Sequence, residues 1–207
     1  MIYDAADKAI RAMNRQNLKA FNRLKLAKWD EINLIHQVSK VYDDSTRMAQ
    51  QRYYEIAFEA FIVAMLETKA DNKEATLLAE ESITNDWILD MLEEVDPVTL
   101  YAFLPEKERK KQRLIEALAV ATNRNAEIDK ALRYWTQQIG QYADNSVFYA
   151  RLEAFRQAGV RKVLWVSQAD ERVCEECDAL NGQIFDIDNV PPPPHYGCRC
   201  YLVPVFD

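Results

Sequence analysis

Apolar positions in the first 96 residues recur every three or four places, the interval at which one side of an α-helix repeats. Ile10, Met13, Phe21 and Leu24 share one helical face, and Lys8, Arg11, Arg15, Lys19 and Arg23 climb a neighbouring face. Ile32, Ile35, Val38, Val41, Tyr42, Ser45 and Met48 keep the period. Tyr53, Ile56, Ala57, Ala60, Phe61, Ala64, Met65 and Thr68 continue it. The pattern predicts two or three long helices, with breaks near residues 28–30 and 70–74. Leu77, Leu78, Ile83, Trp87, Ile88, Met91 and Leu92 form the apolar side of the next stretch, which stops before Asp96-Pro97 because a residue preceding proline is pushed out of the α region.

Pro105 and Glu106 suit the first turn of a helix running to about Asn123. Two further helices are predicted, from Glu127 to Ile139 with a stop near Gly140, and from Ser146 to Ala158 with Gly159 as the C-terminal cap. The character then changes. Val163 to Val166 is a short β-like run, and residues 160–207 hold all four Cys, one of the two His and five of the seven Pro. Pro191–Pro194 reads as a polyproline spacer. The expected fold is mainly α: a long-helix body over residues 1–142, then a small α+β, loop-rich, zinc-binding module over residues 143–207.

Composition sharpens this picture at two points. No Gly or Pro occurs before Pro97, and tight hairpins depend on those residues, so a sheet-rich N-terminal half is excluded. The net charge of −7 disfavours broad coating of nucleic acid, yet it hides segregation. Residues 1–28 carry seven Lys/Arg against two Asp, whereas residues 67–96 carry ten acids against two Lys. The longest apolar run, Ile56 to Leu66, is broken by Glu59 and is too short to span a bilayer, and the first ten residues lack a signal-peptide pattern. The expected setting is the cytoplasm, with no membrane partner.

The chemistry concentrates in the cysteines. Cys174-x2-Cys177 is followed after twenty residues by Cys198-x-Cys200, with His195 three residues before Cys198. A C-x2-C turn sets two thiolates one edge of a zinc tetrahedron apart, and a second cluster closes the site. A short, loop-rich segment has little core, and a structural zinc ion would supply the missing folding energy. Disulfides and four idle thiols are the alternatives. A redox role fits poorly, since Glu175 and Glu176 between the first two Cys disfavour a reactive thiolate. Five candidates, Cys174, Cys177, His195, Cys198 and Cys200, compete for four places. If residues 198–200 are extended, both Cys of that pair face one side and a Cys₄ set results; if His195 binds, one of the pair is spare.

Other features are weaker. His36 lies on a predicted helix as a structural residue. No Ser/His/Asp or Cys/His set is evident, and no Gly-rich phosphate loop. The stripe Lys8, Arg11, Arg15, Lys19 and Arg23 reads either as a solvated helix face or as a contact for phosphate or an acidic protein. Residues 107–113 form a smaller basic patch with the same two readings. Tyr53, Tyr54 and the Trp residues 29, 87, 135 and 165 sit at or beside apolar positions and are expected in the core.

The last 60 residues resemble the phage Mu protein F-like minor head, or head-morphogenesis, proteins of tailed phages. The resemblance rests on Ala158-Gly159-Val160, Val163 to Trp165, Asp170 with Arg172, Cys174-x2-Cys177, Leu180-Asn181-Gly182 with Phe185, and His195-x2-Cys198-Arg199-Cys200 with Pro204. It covers roughly residues 143–207. It departs from the family at Ala143-Asp144-Asn145, where relatives often carry Arg-Thr-Glu. What it implies is a minor capsid component of the virion, present in the host cytoplasm during assembly and associated with the portal protein at the portal vertex. Major capsid or scaffolding protein and double-stranded DNA are further implied partners. The chain ends seven residues after Cys200, so no appended enzyme domain, and no enzymatic role, is expected.

Overall fold

The computed structural model describes residues 3–27, 31–96, 101–168 and 174–206. Helices α1 (Asp4–Leu26) and α2 (Glu31–Glu67) come first, and the predicted break at 28–30 lies outside the described residues. Then follow α3 (Asn72–Ser82), α4 (Asn85–Glu93), α5 (Phe103–Val120) and α6 (Arg124–Gln157). The small C-terminal sheet has strands β1 (Lys162–Val166), β2 (Ile184–Asp186) and β3 (Tyr201–Val205), with α7 (Glu175–Leu180) between the first two. Its order is β2-β1-β3, antiparallel throughout, with Val163 opposite Phe185 on one side and Pro204 on the other.

Two sequence expectations need correction. The acidic stretch is two helices, because Thr84 caps the second: its side chain accepts from the Trp87 amide, as Asp71 accepts from Lys73 and Glu74 at the start of α3. The predicted stop at Gly140 does not occur. Trp135, Gln138, Ile139, Gln141 and Tyr142 are all buried around it, and that packing outweighs the roughly 1 kcal/mol penalty of a helical glycine. Residues 142 and 143 therefore lie inside one 34-residue helix. Gly159 behaves as expected, with φ 69° and its amide bonded to the Arg156 carbonyl, while the Val160 amide reaches Phe155.

Helix α6 packs on α1, α2 and α5 and also on β3, so it is the common wall of body and sheet. Phe21, Tyr42, Trp135, Phe103 and Tyr142 form a chain of ring contacts through the bundle, with centroids 4.9–5.6 Å apart. Polar groups inside it are relayed: Trp135 Nε1 donates to Ser45 Oγ (2.7 Å), which donates to Asn17 Oδ1 (2.6 Å). Ile32 and Ile35, expected on the inward face of α2, are exposed. Trp135 and Trp165 are buried and Trp87 is half-buried, while Trp29 lies outside the described residues.

Buried Arg151 on α6 makes the main polar tie between body and sheet. Its guanidinium grips Glu67 through two nitrogens (3.1 and 2.7 Å) and donates to the Leu202 carbonyl on β3 (2.7 Å). One turn and a half earlier, Asn145 donates to Asp96 (3.0 Å) and Gln141 donates to Asn145 (3.1 Å). The resulting core is one continuous cluster from Tyr3 to Leu202.

Two measurements probe this helix. A methyl group at Gly140 would meet nothing within 4 Å, so Gly140→Ala is expected to raise stability in denaturant melts by roughly 0.5–1 kcal/mol. Burial pushes the Asp144 carboxyl up to about 7 from 3.8. The folded chain then keeps a proton that the unfolded chain releases, and stability falls as pH rises between those values. Asp144→Asn should accordingly stabilise the protein at pH 8, by up to about 4 kcal/mol, and make little difference near pH 3.5.

Candidate metal centre

Local structure brings the cysteines together. Cys174 stands at the N-terminal cap of α7, where its sulfur accepts from the Cys177 amide (3.4 Å), so the first pair is held by a single turn. The Asn181-Gly182 turn, with Gly182 at φ 79°, joins α7 to β2. It is fastened to β1 by the Gly182 amide on the Trp165 carbonyl and by the Ser167 amide on Asn181 Oδ1 (both 2.9 Å). The second cluster arrives on another tight turn: the Cys198 amide bonds the His195 carbonyl (3.2 Å), and Gly197 supplies φ 67°. The Gly197 amide also donates to Gln141 on α6 (3.0 Å), fixing the turn on the body.

Beyond the turn, Cys198 and Cys200 are buried together while Arg199, between them, pairs with Asp7 on α1 (2.9 Å). This is the alternation of an extended chain. The Cys200 carbonyl in turn accepts from the Tyr3 hydroxyl (2.7 Å). The first turns of α1 and the last cysteines thus hold each other.

All five predicted side chains meet. Their ligand atoms form two sets, Cys174–Cys177–His195 and Cys177–Cys198–Cys200, each within 4.8 Å, with Cys177 common to both. Cys177 Sγ lies 3.7 Å from Cys198 Sγ and 2.9 Å from His195 Nε2. Zinc–sulfur bonds of about 2.3 Å give a tetrahedral edge near 3.8 Å, so the sulfur pair already has the required spacing. It is far outside the roughly 2.05 Å of a disulfide, and all four thiols are free. His195 Nδ1 donates to the Tyr196 carbonyl (2.9 Å), because a carbonyl can only accept, and this leaves Nε2 with its lone pair towards the sulfurs. The donor set fits a soft or borderline cation.

The electrostatics agree. Cys200 is held down at about 6, chiefly by the Cys198 thiol donating to it, with further help from Cys177 and the Trp165 indole. Cys198, as donor, is pushed far up, and burial pushes Cys177 up to about 12. Three thiols in so small a buried space cannot all ionise on their own, whereas a divalent cation stabilises every thiolate at once.

The other candidates fare differently. Lys8, Arg11, Arg15, Lys19 and Arg23 are all exposed along α1 and make no ion pair among the described residues. The 107–113 patch is largely neutralised: Lys107 pairs with Asp43, Arg109 and Lys110 with Glu106, and Lys111 with Glu108. His36 is exposed, and Asp170 and Arg172 lie outside the described residues. Sequence reasoning missed Tyr3, Asp7, Gln141 and Arg151, because nothing in a helical pattern marks which polar residue will meet a distant loop.

Comparison with known proteins places this arrangement. Residues 112–203, from the second half of α5 through most of β3, match the family model described as Phage Mu protein F like protein. That stretch, under half of the chain, is similar to the phage Mu protein F-like family. An uncharacterized protein from Haemophilus influenzae is 38% identical over 56 residues, a quarter of this chain and 12% of that relative's length. The matched part is thus a small fraction of that relative. No solved structure matches the chain.

Cobalt(II) added to the reduced protein should report the cluster directly. One equivalent is expected to produce an intense thiolate-to-metal absorption band, absent in Cys177→Ser, which removes the sulfur common to both sets. A wild-type protein that gives no such band would exclude a thiolate centre.

Proposed function

We propose that this chain is a non-enzymatic minor capsid protein of a tailed-phage or prophage head, bound at the portal vertex during procapsid assembly and DNA packaging. The observation that carries the reading is the coincidence of the Mu F-like match with the cysteine cluster, α6 and the sheet. In this reading the chain works in two parts. Residues 1–142 are the helical body that contacts the portal protein and possible neighbours, the major capsid or scaffolding protein. Residues 143–207 form the module that a structural zinc ion staples, with α6 as the beam running through both. The location is the virion, reached from the host cytoplasm.

For the zinc, Cys177, Cys198 and Cys200 supply the buried face and His195 Nε2 the fourth position, while Cys174 caps α7 beside them. The ion's contribution is structural. It neutralises the buried thiolates and fixes two loops that have little apolar surface of their own. His195→Ala is then expected to weaken zinc binding more than Cys174→Ser; the opposite order would assign the Cys₄ set instead.

Co-expression with the portal protein of the same genome tests the assignment. A stable complex by native mass spectrometry, with one zinc per copy of this chain, is the expected result. A free chain that never enters particles would contradict it. One observation favours a second reading as a DNA-escorting protein, namely the five exposed cations on α1, whose row covers about 22 Å of helix. Phosphate contacts from such a row would make duplex binding fall steeply with salt, and Lys8→Gln with Arg15→Gln would flatten the slope by about two.

A further inference from the structure

One cavity is lined by none of the cysteines. It has a volume of about 620 Å³ and opens between α5 and α6, with Tyr42 of α2 in its lining and Tyr196, next to His195, at its rim. A pocket of this size suits a small organic molecule rather than an extended chain, since ligand sites commonly span roughly 300–1,000 Å³.

Its polar groups are unevenly used. Glu106, buried in the wall, is satisfied by Arg109 and Lys110. Arg113 and Lys130 also line the space, and among the described residues neither has an ion-pair or hydrogen-bond partner. Glu127 stands near them. Four cations against two carboxylates leave an excess of two positive charges. Tyr42 is fully buried, and its hydroxyl has no hydrogen-bond partner among the described residues, an arrangement that is normally costly. Leu114, Ala117 and Ala131 give the cavity an apolar lining, and Tyr134 and Tyr196 each leave about half of their surface exposed at its edge.

From this juxtaposition we propose that the α5–α6 cavity binds an aromatic phosphomonoester, a nucleotide unit, with its dianionic phosphate on Arg113 and Lys130 and its flat base against Tyr134 and Tyr196. The charge excess matches a phosphomonoester dianion. Tyr134, with Lys110 Nζ over its ring at 5.5 Å, and Tyr196 are half-exposed rings on which a planar group can stack. Arginine's planar fork and lysine's compact charge both serve as phosphate contacts. The Tyr42 hydroxyl finds in such a ligand, or in water carried with it, the partner it lacks. Free nucleotide and the 5′ end of a nucleic-acid strand share this chemistry. The site does not depend on the head-protein reading, and either stands if the other fails.

Isothermal titration of the chain with adenosine 5′-monophosphate, adenosine and inorganic phosphate tests it. Saturable binding of the monophosphate is expected, at least about tenfold tighter than either fragment. Arg113→Gln with Lys130→Gln should weaken it at least about tenfold, and Tyr42→Phe by a few fold. Lys73→Gln, at an exposed position on α3 that lines no part of the cavity, should leave it unchanged. A 5′-phosphorylated single strand that outcompetes the mononucleotide, while its unphosphorylated counterpart does not, would identify a strand end as the source. Three results would overturn the proposal: neither the mononucleotide nor the phosphorylated strand binds, inorganic phosphate binds as tightly as the mononucleotide, or the double substitution leaves affinity intact. Arg113 and Lys130 are exposed, and Tyr42→Phe keeps the buried ring and removes only its hydroxyl, so the folded state is preserved in every arm.

Discussion

A buried guanidinium cannot be left unpaired, and in this chain that constraint falls on Arg151. Its charge is met by the carboxylate that ends α2 and by a carbonyl of β3, and it lies over the Phe155 ring. Removing one partner of such a group commonly costs 3–5 kcal/mol, because the remaining charge is stranded away from water. The helical body and the C-terminal sheet therefore cannot settle independently around α6. Its residues up to Tyr142 join the aromatic bundle, whereas Phe148 and Arg151 further along reach the sheet, which is why the helix runs unbroken past Gly140.

The cysteine cluster inherits its precision from that beam. Gln141 anchors the Gly197 turn, Phe148 packs on Trp165 (5.5 Å), and Tyr3 and Asp7 hold the extended segment before β3 that carries Cys198 and Cys200. Each of these contacts joins residues at least 17 positions apart, and together they surround a loop segment poor in apolar side chains. Thiolates gathered there repel one another and resist ionisation, so the arrangement makes physical sense as a cation site more than as a set of inert thiols. The same contacts tie the first helix of the chain to its last strand, so the cluster is fastened to both ends of the fold.

Much of this was legible in the residues. The helical period, the Gly159 cap, the β character of Val163 to Val166 and the convergence of Cys174, Cys177, His195, Cys198 and Cys200 all follow from local rules, and the structure has them. The failures have a common cause. Gly140 is a local stop signal overridden by burial on both sides, and Thr84 is a cap hidden inside an apolar pattern that continues past it. Ile32 and Ile35 keep the helical period but lie where none of the described elements covers them. Arg151, Tyr3 and the Asp96–Asn145–Gln141 network were invisible, because a polar residue on a helix face reads as solvated until a distant segment is seen to meet it. The Mu F-like resemblance was carried by spacing in the last 60 residues, and the family match extends it back to residue 112.

A metal ion held by the cysteine cluster would fasten the C-terminal loops, and through them the start of α1, onto α6. Hydrogen–deuterium exchange with and without a strong chelator measures this fastening. Faster exchange on chelation is expected in α7, in residues 195–203 and in the first turns of α1, with the centres of α2 and α6 unchanged. Identical exchange in the two conditions, or loss of protection spread evenly through the bundle, would contradict it.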